Sequence, residues 1–191
     1  MFFLKMSQFK ALTLQSKGLL RVISTDCGVS NPFSIFEIKQ GLQHPQIIQF
    51  KAIWDTGASS SAISQKVVQA LGLIPTGWGF SDTASGRTKV QKYGVNIILP
   101  NGVGFRCVEV SCNNMKVDVL IGMDIISQGD FCMTNKNGNT CVTFQTPASH
   151  SYDFVKEIEN YKKAHENLLK HGNKKCPCGS GLNWDKCHGK K

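Results

Sequence analysis

The chain has 191 residues, of which 41% are hydrophobic and 18% are charged, a composition that excludes a disordered protein and suits one globular domain with an appendage. No apolar run approaches the ~18 residues that a membrane helix needs, and the N-terminal apolar run stops at Lys5, too soon for a secretory signal. The formal net charge is +9, and residues 162–191 supply +6 of it, with eight Lys against Glu166 and Asp185.

The first ~150 residues have the pattern of a β-rich body. In Ile48–Trp54, hydrophobic residues alternate with a period of two, which is typical of a half-buried strand. Similar patterns predict strands at residues 95–99, 105–110, 117–121 and 140–144. Pro100-Asn101-Gly102 marks one break, and Asn137-Gly138 is a hairpin signal. Many short strands separated by such turns indicate a closed or sandwiched all-β domain.

Two helices are expected. The first follows Ser64, which can cap it, and ends at Gly72. Its apolar stripe consists of Val67, Val68 and Leu71. The second helix runs from about Asp153 to His171, and residues 146–149 form a short linker before it. One face of the second helix is formed by Phe154, Ile158, Tyr161, His165 and Leu168.

The eight cysteines fall into two groups. Cys176, Cys178 and Cys187 crowd together near the C-terminus at a spacing typical of metal ligands. The others lie in strand-like segments, where a cysteine usually acts as a small buried hydrophobe. This second group consists of Cys27, Cys107, Cys112, Cys132 and Cys141. A reduced, cytoplasmic protein explains both groups.

The segment Asp55-Thr56-Gly57 is the most informative chemical signal in the chain. A hydrophobic strand runs directly into it, so the strand delivers the Asp55 carboxylate to a tight turn. Gly57 permits a close approach of the backbone, and Thr56 can hydrogen-bond across an interface. An Asp at the end of a strand is either an ordinary turn former or a catalytic acid, and the tripeptide alone leaves both alternatives open.

A second motif follows about sixty residues later. Residues 117–126 read Val-Asp-Val-Leu-Ile-Gly-Met-Asp-Ile-Ile, in which a hydrophobic pair and a glycine open into a helical turn. Together with Asp55-Thr56-Gly57-Ala58, the intervening helix and a glycine-containing hairpin, this order resembles the retropepsin-like aspartic proteases, closest to their bacterial and DNA-damage-inducible members. The resemblance covers roughly residues 20–145 and implies a mainly β fold, the closed β-barrel of acid proteases.

The resemblance also implies a mechanism. In this family two Asp carboxylates meet at a two-fold axis, share a proton and activate one water for attack on a peptide carbonyl. The sequence contains one Asp-Thr-Gly and no internal repeat, and Asp124 lies where an Asp naturally caps a helical turn. The second Asp55 must then come from another copy of the chain. Catalysis is therefore assigned to Asp55, Thr56 and Gly57 of a homodimer that acts on a peptide or protein.

A polar segment at residues 80–88, with Gly86 near its tip, has the character of a hairpin. Retropepsins close such a hairpin as a flap over the substrate, which excludes water and holds the peptide. The alternative is an ordinary solvent-exposed hairpin, and the sequence does not decide between the two.

The C-terminal segment holds four potential metal ligands, Cys176, Cys178, Cys187 and His188. Such a set suits tetrahedral Zn²⁺, and so short a segment would fold only with its metal. The segment resembles the SEC-C motif, in which the zinc is structural and the knuckle contacts protein partners or ribosomes. Surrounding lysines either contact phosphate or form a solvated end: Lys174, Lys175, Lys186, Lys190 and Lys191.

The expected organisation is a retropepsin-like domain at residues 20–146, a connecting helix at 151–172 and a zinc-binding SEC-C motif at 174–191. The leading hypothesis is an aspartic endopeptidase, active as a homodimer in the cytoplasm without contact with a membrane, whose tail recruits a partner. The alternative is a noncatalytic dimeric adaptor of the same fold, with its tail on a protein or ribosome. A nucleic-acid-binding regulator is a third reading, which rests on the basic tail alone.

Overall fold

The computed structural model describes residues 9–33, 45–83, 86–171 and 175–188. The chain divides into two compact units, residues 1–149 and residues 150–191. The first unit is a β-rich body, and the second contains a helix followed by the cysteine-rich segment. Within the described ranges, no helix is both long and apolar enough to cross a membrane.

The strands of the body are short, as the sequence predicts, except for one of fourteen residues. In chain order they are β1 (Lys10–Ser16), β2 (Ile23–Ser30), β3 (Ile48–Trp54), β4 (Ala62–Ile63), β5 (Gly77–Thr83), β6 (Gly86–Leu99), β7 (Val103–Cys112), β8 (Val119–Ile121), β9 (Asp130–Thr134) and β10 (Thr140–Thr146). The helices are α1 (Gln65–Leu71), α2 (Met123–Ile126) and α3 (Phe154–His171).

The larger sheet closes into a barrel. Its strand order is β2-β3-β8-β4-β7-β6-β5, and β2 also pairs with β6, so the first six strands of this order form a ring. The β3–β8 and β4–β7 pairs are parallel, and the other pairs are antiparallel. The β5 strand continues the sheet beyond the ring as one arm of a hairpin with β6. This topology confirms the predicted mainly β, closed-barrel fold.

A second, three-stranded antiparallel sheet has the order β1-β10-β9. Lys10 lies opposite Thr146 and Ser16 opposite Thr140, so this sheet joins the two ends of the body. The β1 strand lies before residue 20, where the domain was expected to begin. The sheet packs on the barrel through aromatic rings, with the ring centroid of Trp54 5.3 Å from that of Phe144 and 5.8 Å from that of Phe131.

The burial of β3 explains why its sequence forms a strand. Phe50, Ala52 and Trp54 point into the core, while Lys51 between them is exposed. Each buried large apolar side chain stabilises the fold by roughly 1.5–3 kcal/mol. The Trp54 indole N–H donates a hydrogen bond of 3.0 Å to the Thr25 hydroxyl, so burial leaves this polar group satisfied. The core thus fixes the end of β3.

The predicted helices form, with one difference in capping. Gly72 ends α1 in the left-handed conformation at φ 58°, as expected. Ser64 precedes α1, but its side chain makes no capping bond, and its buried hydroxyl oxygen has no hydrogen-bond partner in the described structure. Its carbonyl instead accepts hydrogen bonds from the N–H groups of Val67 and Val68. Asp153 caps α3, because its carboxylate accepts the Lys156 N–H at 3.0 Å.

The linker expected at residues 146–149 is tethered to the body. The Ser149 N–H donates to the Asp130 carboxylate at 2.8 Å, and the Thr146 hydroxyl donates to the Gln128 carbonyl at 3.1 Å. The chain is therefore held against the body up to the point where the second unit begins.

The five cysteines of the body all lie in strands, but only one meets the expectation of burial. Cys27 is 1% exposed, and burial, together with the nearby charges of Asp118 and Asp26, raises the pKa of its thiol to about 12. Cys107 is exposed, and the remaining three, Cys112, Cys132 and Cys141, are partly exposed. All eight cysteines of the chain are free thiols.

Candidate active site and metal centre

The Asp55 turn begins where β3 ends beside β8. The Asp55 N–H donates to the Ile121 carbonyl at 2.9 Å, which continues the parallel pairing of the two strands by one residue. The Gly57 N–H donates to the Asp55 carboxylate at 2.8 Å, and the Ala58 N–H donates to the Asp55 carbonyl at 3.2 Å. These bonds hold the carboxylate at the mouth of the barrel, half-buried.

The glycine of the second motif lies against the segment that follows this turn. A Cβ atom on Gly122 would lie 2.5 Å from the carbonyl carbon of Ser60 and 2.9 Å from the backbone nitrogen of Ser61. No other residue fits there, because both contacts are with backbone atoms that cannot rotate away. The Met123 N–H also donates to the Ala58 carbonyl at 2.8 Å. The two sequence motifs are thus locked together, which the order of the motifs alone did not reveal.

A buried serine forms the centre of this lock. The Ser61 hydroxyl donates to the Asp124 carboxylate at 2.7 Å and accepts the Gly122 N–H at 3.0 Å. Asp124 also accepts the Ile125 N–H at 3.0 Å at the start of α2. Asp124 therefore holds the backbone from inside the first turn of α2, whose N-cap residue is Gly122, so the expectation that Asp124 caps this turn is wrong. Sequence reasoning missed Ser61, although its place in the serine run after Ala58 was a signal.

The Asp55 carboxylate opens into a cleft of about 490 Å³. The cleft is lined by the Asp55 turn and by the β5 arm of the hairpin. The Asn113 amide donates to the Ser81 hydroxyl at 3.3 Å and so ties the hairpin to the residue that follows β7 in the cleft lining. The lining residues used below are Asp55, Gly57, Ser59, Phe80, Asp82 and Asn113. Asn113 was not singled out from the sequence, and no pattern pointed to it.

The hairpin lies where the sequence placed a flap candidate. Its arms pair from Gly77–Lys92 to Thr83–Gly86, and Gly86 adopts a φ of +116° beside the turn. Residues 84 and 85, at the predicted tip, lie outside the described residues. Two cations cover exposed aromatic rings on this hairpin, Arg87 over Phe80 at 4.4 Å and Lys89 over Trp78 at 4.7 Å.

The predicted catalytic residues differ in exposure. Asp55 is half-buried, whereas Thr56 and Gly57 are exposed within this single chain. The turn can therefore present the carboxylate to a ligand in the cleft and the Thr56 side chain to another molecule. Asp118, the other acid near the barrel mouth, binds Lys66 at 2.9 Å. Of Asp55, Asp118 and Asp124, only Asp55 lines the cleft.

The four predicted metal ligands come together in the second unit. The Sγ atoms of Cys176, Cys178 and Cys187 and a ring nitrogen of His188 all lie within 4.8 Å of one another. The Cys178 and Cys187 sulfurs are 3.6 Å apart, and the His188 Nδ1 atom lies 3.2 Å from the Cys176 sulfur. Four ligands placed tetrahedrally around Zn²⁺ would be separated by about 3.5–3.8 Å. The donor set and its spacing therefore fit a zinc ion.

The backbone folds the ligands together through two turns. The Cys176 N–H donates to the Leu182 carbonyl at 2.6 Å, and the intervening Gly179 and Gly181 have φ angles of 78° and 72°. Such positive angles are accessible to glycine at no steric cost. The Cys187 N–H donates to the Trp184 carbonyl at 3.0 Å, which brings the second ligand pair back toward the first.

The pKa values of two thiols in this cluster are shifted in opposite directions. Hydrogen bonds from Ser180 lower the pKa of the Cys178 thiol to about 6, whereas desolvation raises the pKa of the Cys176 thiol. Thiolate is the form that binds a metal ion. The Trp184 ring stacks on the His188 ring at a centroid distance of 5.9 Å, and Tyr161 of α3 lies 6.2 Å from Trp184. Of the surrounding lysines, Lys174, Lys190 and Lys191 lie outside the described residues.

Comparison with known families agrees with both motifs. Residues 47–128 match the family described as "gag-polyprotein putative aspartyl protease", and residues 173–190 match the SEC-C motif. No curated protein matches the sequence. Both resemblances predicted from the sequence are thereby confirmed.

Two solved structures are similar to this chain. One is a retropepsin-like aspartic protease from Rickettsia conorii, with 13% identity, a TM-score of 0.44 and coverage of 72% of this chain and 95% of that one. The other is the Simian Foamy Virus (mac) protease, with 14% identity, a TM-score of 0.36 and coverage of 55% and 92%. By its family matches, the chain is similar to the gag-polyprotein putative aspartyl proteases over residues 47–128 and to the SEC-C motif over residues 173–190.

Proposed function

We propose that this chain is an aspartic endopeptidase that is active as a cytoplasmic homodimer. The observation that supports the proposal is that Asp55 lines a cleft together with the β5 arm of a hairpin, in a chain with one Asp-Thr-Gly. Each subunit contributes one carboxylate, and Thr56 and Gly57 complete the turn that holds it. Thr56 is exposed in the single chain and is available for a contact between subunits.

The proposed reaction follows from two carboxylates that share one proton, since two such groups in contact do not both ionise. The ionised Asp55 accepts a proton from a water molecule as its oxygen attacks the peptide carbonyl carbon. The partner's Asp55, which is protonated, donates its proton to the carbonyl oxygen. The diol then collapses: Asp55 gives the proton it took from water to the amide nitrogen as the C–N bond breaks, and one diol hydroxyl returns a proton to the partner's Asp55. An amine and a carboxylic acid are released, and the pair of carboxylates again shares one proton.

The cleft would position the peptide substrate. The hairpin narrows it from one side, and the Asn113–Ser81 hydrogen bond sets the resting position of that hairpin. An extended peptide lying between the Asp55 turn and β5 would be shielded from water by Phe80. The substrate class is thus a peptide or an unfolded protein segment.

The tail is assigned a structural and recruiting role. Cys176, Cys178, Cys187 and His188 would hold Zn²⁺, which supplies a cross-link between the two halves of the knuckle when bound. Four protein ligands leave no open position for a substrate. The exposed Lys175 and Lys186 give the knuckle a basic surface for a protein or ribosome partner.

The domain limits follow from the same proposal. The sequence places the protease domain at residues 20–146, the connecting helix at 151–172 and the metal motif at 174–191. The pairing of β1 with β10 supports an earlier start for the protease domain, at about residue 10.

The second candidate is a noncatalytic dimeric adaptor of the same fold. The tether between Asn113 and Ser81 favours it, because a fixed hairpin would obstruct the cleft rather than open it. The complete Asp55-Thr56-Gly57 turn favours the enzyme, because a scaffold does not need this carboxylate. An assay for cleavage decides between the two.

The test is cleavage of a peptide library by the native chain and by Asp55→Asn. The amide keeps the size and shape of the carboxyl group but cannot carry the proton, so cleavage should be lost while the fold and the dimer are retained. Asp82→Asn is the matched control, because it makes the same chemical change at an exposed lining residue of the cleft. Cleavage by Asp55→Asn at the native rate would remove the catalytic assignment.

A mixing experiment tests the shared site. Excess Asp55→Asn chain should suppress the activity of a fixed amount of native chain, because mixed dimers hold one carboxylate, and activity should also fall on dilution. Native activity that is unaffected by mixing or dilution would show a complete site in one chain.

A further inference from the structure

The α3 helix presents an apolar stripe on its surface. Phe154, Ile158 and Tyr161 are 65%, 56% and 58% exposed, respectively, although each is a large hydrophobic side chain. A helix whose apolar face is left in water gains stability when a partner covers that face. In the described part of this unit, the knuckle contacts the helix at Ala164 and at Tyr161, the C-terminal member of this stripe, which stays 58% exposed.

The spacing of the stripe is a heptad repeat. From Phe154 the apolar positions advance by four and three residues to Ile158 and Tyr161, and in sequence they continue to His165 and Leu168. Steps that alternate between four and three residues correspond to d and a positions of a two-stranded coiled coil. This assignment puts a β-branched isoleucine at an a position and one polar residue, His165, at the other, a pattern that fixes register.

The flanking charges select a second copy in parallel orientation. With Ile158 at a, Glu157 is a g position and Lys162 is the e position five residues later, and both side chains are exposed. In a parallel pair the g residue of one helix lies beside this e residue of the other, so Glu157 meets Lys162 twice around the two-fold axis. In an antiparallel pair, g would face g and e would face e, which separates these opposite charges.

We infer that the α3 helices of two chains pair as a short parallel coiled coil and that this pairing tightens the homodimer. At 18 residues the helix is about 27 Å long and would be marginal as an independent dimer. It acts instead by raising the local concentration of the two bodies for each other. The inference goes beyond the protease proposal, because it needs neither Asp55 nor cleavage.

The first test is a cross-link in the full-length, zinc-loaded chain. Ile158→Cys places a thiol at the seam, and on mild oxidation it should form a disulfide to the same residue of a second chain, identified by mass spectrometry of the linked peptides. Asn160→Cys, on the outer face of the same helical turn, is the matched control and should form no such link. Absence of the 158–158 link in the native-like dimer would overturn the parallel coil.

The second test is the dimer dissociation constant, measured by sedimentation. Ile158→Lys should raise it by about tenfold or more, because the apolar seam is lost, whereas Asn160→Lys should leave it unchanged. Glu157→Lys should also weaken the dimer, and the double variant with Lys162→Glu should recover most of the loss. Circular dichroism controls for helix content, since Glu157 also favours the helix N-terminus.

The outcomes separate this inference from the protease proposal. Cleavage that depends on dimer formation, without the 158–158 link, would overturn only the coiled coil. A link without any cleavage would support the coiled coil and count against the enzyme. Equal dissociation constants for Ile158→Lys and Asn160→Lys would show that another surface, of this chain or of a different protein, covers the stripe, and would overturn the inference.

Discussion

The Asp55 turn and the cysteine–histidine cluster are held together in opposite ways. The turn depends on residues that are distant in sequence, since the Ser61 hydroxyl joins Gly122 and Asp124 across separations of 61 and 63 residues. The cluster is local, and its most distant ligand contact, between Cys176 and His188, spans 12 residues. The first site is a product of a folded core, whereas the second has little core of its own.

This difference determines which kind of perturbation disrupts each site. A site built by a core keeps its shape without any ligand, because the packing fixes its backbone. A site built by a short loop needs the ligand to supply the folding free energy. Perturbations of the core should therefore damage the first site and spare the second, and removal of metal should do the reverse.

The largest effect is expected from loss of the metal. Cys187→Ser or a strong chelator should unfold residues 175–188, because ligation of a structural zinc contributes on the order of 10 kcal/mol. Metal analysis should give one zinc per native chain and none for the variant, while the thermal transition of the body stays in place. Cys107→Ser, at an exposed thiol of the body, should keep the zinc. Zinc-free native protein would contradict the ligand assignment.

The next largest effect is expected at Gly122. An added methyl group would lie 2.5–2.9 Å from backbone atoms of Ser60 and Ser61, so Gly122→Ala should destabilise the body by about 3 kcal/mol. For a body of this size the melting temperature should fall by roughly 10 °C. Gly104→Ala is the control, because its nearest neighbours are 3.9 Å away. Equal melting temperatures of the two variants would show that the lock between the motifs is looser than described.

Ser61→Ala should have an intermediate effect. It removes the partner of the buried Gly122 N–H and of the Asp124 carboxylate, at a cost of about 2 kcal/mol measured by denaturant unfolding. Ser59→Ala, at an exposed serine two residues earlier, should change stability by less than about 0.5 kcal/mol. If the two substitutions cost the same, the serine bridge does not hold the site.

The smallest effect is expected from the surface charges near the core. Lys51 and Asp26 form an ion pair of 2.6 Å, but their side chains are 71% and 67% exposed. Lys51→Ala should therefore cost less than about 0.5 kcal/mol, and the difference should vanish at high salt. A loss of more than about 1 kcal/mol that persists at high salt would mean that surface electrostatics, and not only buried bonds, hold the body.

Much of the barrel could be predicted because its strands carry local signals. Ile48–Trp54 was predicted with the bounds that the structure has, since alternate side chains enter the core. The β4 strand, at Ala62–Ile63, was not predicted, because two residues form no pattern and their pairing with β7 and β8 is tertiary. The β1 strand was missed for a related reason, since Leu12 is its one fully buried residue.

The Asp55 site and the metal site could likewise be predicted only where the sequence carries a local signal. The cysteine and histidine ligands were recognisable because all four lie in one short segment, and the structure brings them together. The Asp55 turn was recognisable by its tripeptide, but Ser61 and Asn113 acquire their roles only through contacts with Asp124 and Ser81. A single polar residue whose partner is distant in sequence has no characteristic spacing from which its role could be predicted.

The β1–β10 pairing has a consequence for the order of folding. Lys10 pairs with Thr146, which lies 136 residues later in the chain. During synthesis, β1 is therefore made well before β10, the strand with which it pairs. Until then the aromatic face around Trp54 lacks the cover of Phe144. Because the entry and exit of the body are adjacent, a circular permutant that joins them and opens at the Lys136–Gly138 turn would place β10 ahead of β1 in the chain. Such a permutant should form this pair early, as a local hairpin, and refold faster than the native chain.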